Sequence, residues 1–296
     1  MMLTHRHAVL LMVVVTVLWS TAGVVTRHLE QARQFEVTFW RSFFTLLTLL
    51  VLLPLWRGRD VFRRMRDGGL ALWLSGLCWA GMFTFFMIAL TLTQVANVLL
   101  TMALGPLFTA LASRAFLSHK LPWRTWMAIT AAGAGIVWMF SDQAQGLGAV
   151  TTLVALGVPL SGAANWTVTQ HAHAQGHDVD LVPAVLIGAI ISSVLTLPLA
   201  WPLQASGHDL LLLAGLGVFQ LAIPCVLAVV CTRYLVAAEI SLLGLLEVLF
   251  GILLAWVGAG EVPSARVLCG GSLVMGALLV NAWLGWRDQD HELAIA

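Results

Sequence analysis

Long apolar runs alternate with short polar connectors along almost the whole chain. Ten runs stand out, over residues 8–26, 37–55, 69–91, 95–117, 123–140, 147–169, 181–202, 210–231, 235–257 and 267–286. Each approaches the ~20 residues that a helix needs to cross a bilayer. Stretches such as LLTLLVLLPLW, residues 46–56, are continuous and lack the alternation of a barrel strand. The pattern predicts an all-α polytopic membrane protein with ten transmembrane helices. MMLTHRH and the run behind it read as the first span, since no small-x-small cleavage signal precedes Trp19. Little chain remains between the runs, so any chemistry belongs inside the bundle.

Composition agrees: 60% of residues are hydrophobic and 10% charged, against about 25% charged in soluble domains. With 15 basic and 14 acidic side chains the balance supplies no arm for nucleic acid. Position carries more than the sum. If both termini are cytoplasmic, that face collects Arg6, Arg57, Arg59, Arg63, Arg64, Arg66, Arg114, Lys120, Arg124, Arg233 and Arg287, leaving Arg27, Arg33 and Arg266 opposite. The bias predicts both ends inside. Arg41, near the outer end of the second run, is expected to snorkel towards the interface. Cys78, Cys225, Cys231 and Cys269 have no CxxC spacing and are expected to pack as small hydrophobes; no metal or cofactor is expected.

Shifting the chain by 141 residues lays Ala96–Pro122 on Ala237–Pro263 and Gly135 on Gly276; a shift of 143 sets TRH, residues 26–28, on TQH, residues 169–171. The chain therefore reads as two five-span repeats, 1–144 and 145–296. Five spans is an odd number, so the repeats insert with opposite orientations. Inverted repeats of this kind build secondary transporters, with the substrate site near the midplane between them.

Ten spans as five plus five, LWS in the first, WRSFF opening the second, GPLFTAL in the fourth, and the connectors SHKLPWRTW and GAGEVPSAR together resemble the EamA branch of the drug/metabolite transporter superfamily. LWST (18–21) and TVTQ (167–170) are similar to YddG-type amino-acid exporters. The resemblance implies a bundle around a central cavity walled by the first, third, fourth, sixth, eighth and ninth spans, passing amino acids, notably aromatic ones, and other metabolites or drugs. It places Trp19 on a cavity-lining tryptophan and Pro106 on the proline of the fourth span. Gly105 stands where those exporters tend to carry an aromatic, and Val248 replaces the proline of a Glu-Pro pair while Glu247 keeps the glutamate.

The candidate substrate-cavity residues are Trp19, Trp79, Phe83, Phe86, Met102, Pro106, Asn165, Trp166, Thr169, Gln220, Gly244 and Glu247. Trp79, Phe83 and Phe86 lie one turn apart and share a helix face, which serves either packing or a cavity wall. Asn165 serves either as interhelical glue or as a contact to substrate. Pro106 frees a backbone carbonyl and predicts a kink; Pro106 and Gly251 are the candidate hinges. Gly244 and Gly251 flank Glu247 by one turn each. An ionised side chain at helix centre costs about 3 kcal/mol on insertion scales, so Glu247 should face the bundle or water. It is the best candidate for proton coupling, with uncoupled facilitation the alternative. The histidines of QHAHAQGHDVD, residues 170–180, read as a solvated loop.

No Walker P-loop and no converging acid, base or nucleophile set appears inside the spans, which argues against an ATP-driven pump and an intramembrane enzyme. The expected function is export of small metabolites, most of all aromatic or other apolar amino acids, by alternating access. A multidrug or other metabolite transporter on the same fold is the alternative. The expected partners are a small-molecule substrate and the lipid bilayer of a bacterial cytoplasmic membrane, with a monomer as the working state.

Overall fold

The structure is a computed structural model that describes residues 4–58, 60–117, 122–140, 147–174, 182–231, 234–235 and 237–295. Every element among these residues is helical. The first half holds α1 (His5–Thr26), α2 (Gln34–Arg57), α3 (Asp60–Asp67), α4 (Gly69–Leu92), α5 (Val95–Met102), α6 (Gly105–Leu117) and α7 (Trp123–Phe140). The second holds α8 (Leu147–Ala174), α9 (Val182–Ala200), α10 (Gly207–Gly215), a π-helical segment (Leu216–Ala222), α11 (Ile223–Cys231), α12 (Ala237–Ala259) and α13 (Ala265–Ile295).

Helical segments fall on all ten apolar runs, but two runs are not single α-helices. The fourth breaks at Ala103 and Leu104, where the amide of Leu104 turns back to Thr101 O. Pro106 then occupies the first turn of α6, where its missing N–H is no loss. The kink expected at Pro106 is thus a break just before it. The eighth run widens into the π segment, whose C-cap amide, on Ile223, reaches back five residues to Val218 O. Pro224 follows directly; it has no N–H and crowds the carbonyl four residues back, and a wider turn relieves that crowding. The basic connector after α2 forms α3, too short to span anything.

Six stretches are long and apolar enough to cross a membrane: 5–26, 34–56, 69–92, 95–112, 182–200 and 207–231. Three shorter apolar helices cover 150–165, 243–259 and 265–281. Leu10, Val14 and Val17 on α1 and Val194, Leu195 and Leu199 on α9 stand exposed, apolar surface that suits acyl chains.

Each half packs mainly on the other. Helix α1 lies on α12 as α8 lies on α6; α4 crosses α9 as the π segment crosses α2; α2 meets α9 and α7 meets α13. The close approaches repeat too. A methyl at Gly76 would strike the Ile187 side chain and sit 3.5 Å from Ala184 O, while one at Gly217 would strike Phe44 Cβ and sit 2.9 Å from Arg41 O. A shift of 141 carries Gly76 to Gly217, and a shift of 143 carries Arg41 and Phe44 to Ala184 and Ile187.

One face of the bundle is stitched by carboxylates. Asp209, fully buried, accepts the amides of Glu30, Gln31 and Ala32 from the α1–α2 connector at 2.8 to 2.9 Å. Glu36 accepts those of Gln204 and Ala205, both at 2.8 Å. Arg27 reaches Glu261 beyond α12 and carbonyls at the end of α4. The connectors after α1, α4, α9 and α12 therefore share a face, as alternate connectors of a multi-span chain must.

Candidate functional site

Arg41 is the largest fully buried side chain among the described residues, with 1% of its surface exposed. Its place in the interior overturns the expectation that it snorkels to the interface. Helix α2 is covered around Arg41 by α4, α9 and the π segment, so the guanidinium has no short route to water. Nη1 donates to Gln220 Oε1 at 3.2 Å and Nη2 to the Phe83 carbonyl at 2.8 Å. The guanidinium carbon lies 5.8 Å from the Phe83 ring centre and 5.7 Å from that of Phe86, within cation–π range. Nε has no hydrogen-bond partner, and no carboxylate pairs with the group among the described residues.

Several sequence candidates gather at this arginine. Gln220, turned inward by the π segment, accepts from Arg41 and donates through Nε2 to Trp19 O at 3.4 Å. Phe83 and Phe86 supply the aromatic faces, and Trp79 packs on Phe83 with ring centres 5.6 Å apart. Cys225, one turn after Gln220, is buried within electrostatic reach of Arg41 and Glu247 and beside the Trp19 indole. Four elements from both halves thus converge: α1, α2, α4 and the π–α11 region.

Glu247 is half-buried on α12, and its backbone carbonyl accepts from Ser20 Oγ at 3.2 Å, which pins α12 to α1. Gly244 has open space where a Cβ would project. At Gly251, by contrast, an added Cβ would strike the Leu99 side chain, and α12 runs through that position unbroken. Asn165 is buried and accepts from Ser75 Oγ at 2.6 Å, which ties α8 to α4. Met102 and Pro106 lie at the α5–α6 break, half-buried. The side chains of Trp166, Thr169, His171 and His173 lie outside the described residues, as does His177; the backbone of residues 170–174, expected as loop, continues α8.

A hydroxyl chain, Ser42 to Ser192 at 2.9 Å and Ser192 to Thr84 at 3.0 Å, joins α2, α9 and α4 near the same level. Such bonds hold membrane helices together where apolar burial supplies no drive. The described residues contain no group of His, Cys, Asp and Glu able to hold a metal. An open pocket of about 800 Å³ lies on the stitched face, lined by Arg27, Thr91, Gln94, Glu261, Ser264 and Arg266 among others.

Sequence reasoning missed Arg41 because hydropathy places a charge by its distance from the end of a run. The usable signal was its company: an arginine inside WRSFF, with Ser42 and Thr45 on the same helix, marks a face too polar for lipid.

None of the curated proteins matches the chain. One solved crystal structure superposes with a TM-score of 0.65 over 95% of this chain and 98% of its own, at 21% identity, and shows that the fold is shared. The EamA-like transporter family matches twice, over residues 6–141 and 150–283, one match for each half of the contact pattern. With two consecutive matches spanning nearly its whole length, the chain belongs to the EamA-like transporter family, membrane transporters of small molecules.

Proposed function

We propose that this chain is a secondary transporter exporting small amphiphilic metabolites, with aromatic and other apolar amino acids as its preferred cargo. Ten spans in two inverted five-span repeats, residues 1–144 and 145–296, alternate a central site between the two sides of a bacterial cytoplasmic membrane, with both termini inside. The observation that carries this reading is the cage at Arg41: one fixed cation with a free Nε, an amide at Gln220, and Trp19, Trp79, Phe83 and Phe86 around them. A carboxylate on an apolar body complements such a site, whereas a cationic drug meets a like charge. In this packing the cage is closed, so cargo reaches it only when the halves move apart. The similarity to YddG-type exporters supports the same cargo class.

Flux into proteoliposomes of labelled phenylalanine, leucine and a lipophilic cation, with and without a pH gradient, tests it. Saturable flux of the amino acids but not the cation is expected. The reverse preference makes the chain a multidrug transporter, and no flux of any compound by folded protein ends the transporter reading. Trp19→Ala is expected to weaken competition by the best amino acid about tenfold, as loss of a large aromatic contact in a binding site does. Unchanged competition would remove Trp19 from the cargo path.

Glu247, half-buried on α12, is the titratable group of the proposed cycle. Glu247→Gln is expected to keep flux while abolishing its response to a pH gradient. A pH response identical to the parent's would return Glu247 to a packing role. Proton coupling through Glu247 would then fall away, and facilitation would take its place.

A further inference from the structure

Arg27 makes three bonds to three separate pieces of chain. Nε donates to Glu261 Oε2 at 2.7 Å, Nη1 to Leu90 O at 2.7 Å and Nη2 to Thr93 O at 2.5 Å. The other oxygen of Glu261 accepts the Val95 amide at 2.6 Å. One ion pair therefore clamps the ends of α1, α4 and α12 and the start of α5, and it joins a first-half arginine to a second-half carboxylate. Both side chains are mostly buried, 27% and 13% exposed, and both line the pocket of about 800 Å³ that opens on this face.

The repeat gives this pair a meaning. The shift that sets TRH on TQH carries Arg27 to Gln170, and the shift that sets Ala96–Pro122 on Ala237–Pro263 carries Glu261 back to Lys120. An amide and an ammonium hold no carboxylate between them, so the corresponding positions of the other half cannot form an ion pair. The ion pair on this face therefore has no counterpart in the sequence at the corresponding positions of the other half. Where inverted repeats alternate access, such a difference biases which side rests closed.

We propose that the Arg27–Glu261 pair is the latch of a gate on this face. Closed, it holds α12 of the second half against α1 and α4 of the first; released, it lets the end of α12 swing away and the pocket beside it deepen towards the bundle. The proposal rests on the alternating-access reading, but its test needs no cargo, so the two can fail separately.

The test is an electron–electron distance measurement between spin labels at His28→Cys and Val262→Cys, both exposed positions on either side of the latch. Cys78 and Cys269 are replaced by serine in all samples. The parent is expected to show one main distance. Glu261→Gln retains an oxygen for the Val95 amide but loses the charge that pairs with Arg27, so it is expected to raise a longer-distance population two- to fivefold, roughly what a part-exposed pair is worth. Arg27→Gln is expected to do the same or more. Thermal unfolding confirms that each variant is folded, and Glu261→Gln alone suffices if Arg27→Gln is not. Distance distributions unchanged from the parent in folded Glu261→Gln overturn the latch, whatever the flux assays find.

Discussion

Replacing Arg41 by methionine is expected to destabilise the folded protein by about 2–4 kcal/mol, because a buried acceptor on Gln220 and the Phe83 carbonyl each lose a charged donor while the volume stays filled. Unfolding in a mild detergent, followed by circular dichroism, measures it. Adding Gln220→Leu is expected to recover part of that loss, since it removes the stranded Gln220 acceptor while the Phe83 carbonyl still lacks its donor and the weak bond to Trp19 O is given up. Transport is expected to stay absent in both, because a leucine and a methionine offer no cation to a carboxylate. That split separates a binding role from a structural one. If the double variant regains flux along with stability, Arg41 is only a tie between α2, α4 and the π segment, and the proposed cargo class loses its anchor. If the single variant is as stable as the parent, the polar contacts at Arg41 contribute nothing measurable.

The helices were legible because bilayer thickness imposes a length, and runs of about that length are hard to misread. What hydropathy cannot see is how a run is interrupted. Nothing in the apolar count at 210–231 announces a π turn, although Pro224 beyond Gln220 gives a mechanism for it. Likewise GPLF reads as a kink in one helix, yet the chain breaks two residues earlier, because Pro106 fits a first turn better than an interior one. The site was legible in part for a related reason. Trp79, Phe83 and Phe86 share a face by periodicity, but periodicity alone does not say whether that face meets lipid, core or cargo. Only the position of Arg41 on a second helix turns two of the three into its aromatic cage. Gly251, one turn after Glu247, has the Leu99 side chain where a Cβ would project, a close contact that spacing along one helix does not announce.

Gly217→Ala is expected to cost about 1–3 kcal/mol, a large effect for one methyl, because the atoms in its way are backbone. The added carbon would lie 2.9 Å from both Arg41 O and Thr45 N and 2.6 Å from Phe44 Cβ, so the π segment and α2 must separate as whole elements. Separation would also stretch the Thr45 Oγ1 bond to Gly217 O, now 3.1 Å, and draw Gln220 away from Arg41. Gly276→Ala serves as the control: its Cβ would meet nothing within 4 Å, so the better helix propensity of alanine should leave stability unchanged or raised by up to about 1 kcal/mol. Both follow from urea or thermal unfolding in detergent. The repeat sharpens the comparison, since Gly76 crosses α9 as Gly217 crosses α2, but there the near atoms are Ile187 Cγ2 and Cβ and the nearest backbone atom, Ala184 O, lies 3.5 Å away. Gly76→Ala should therefore cost less than Gly217→Ala. Equal costs at the two positions would mean that side-chain crowding, and not backbone contact, sets the spacing of these crossings.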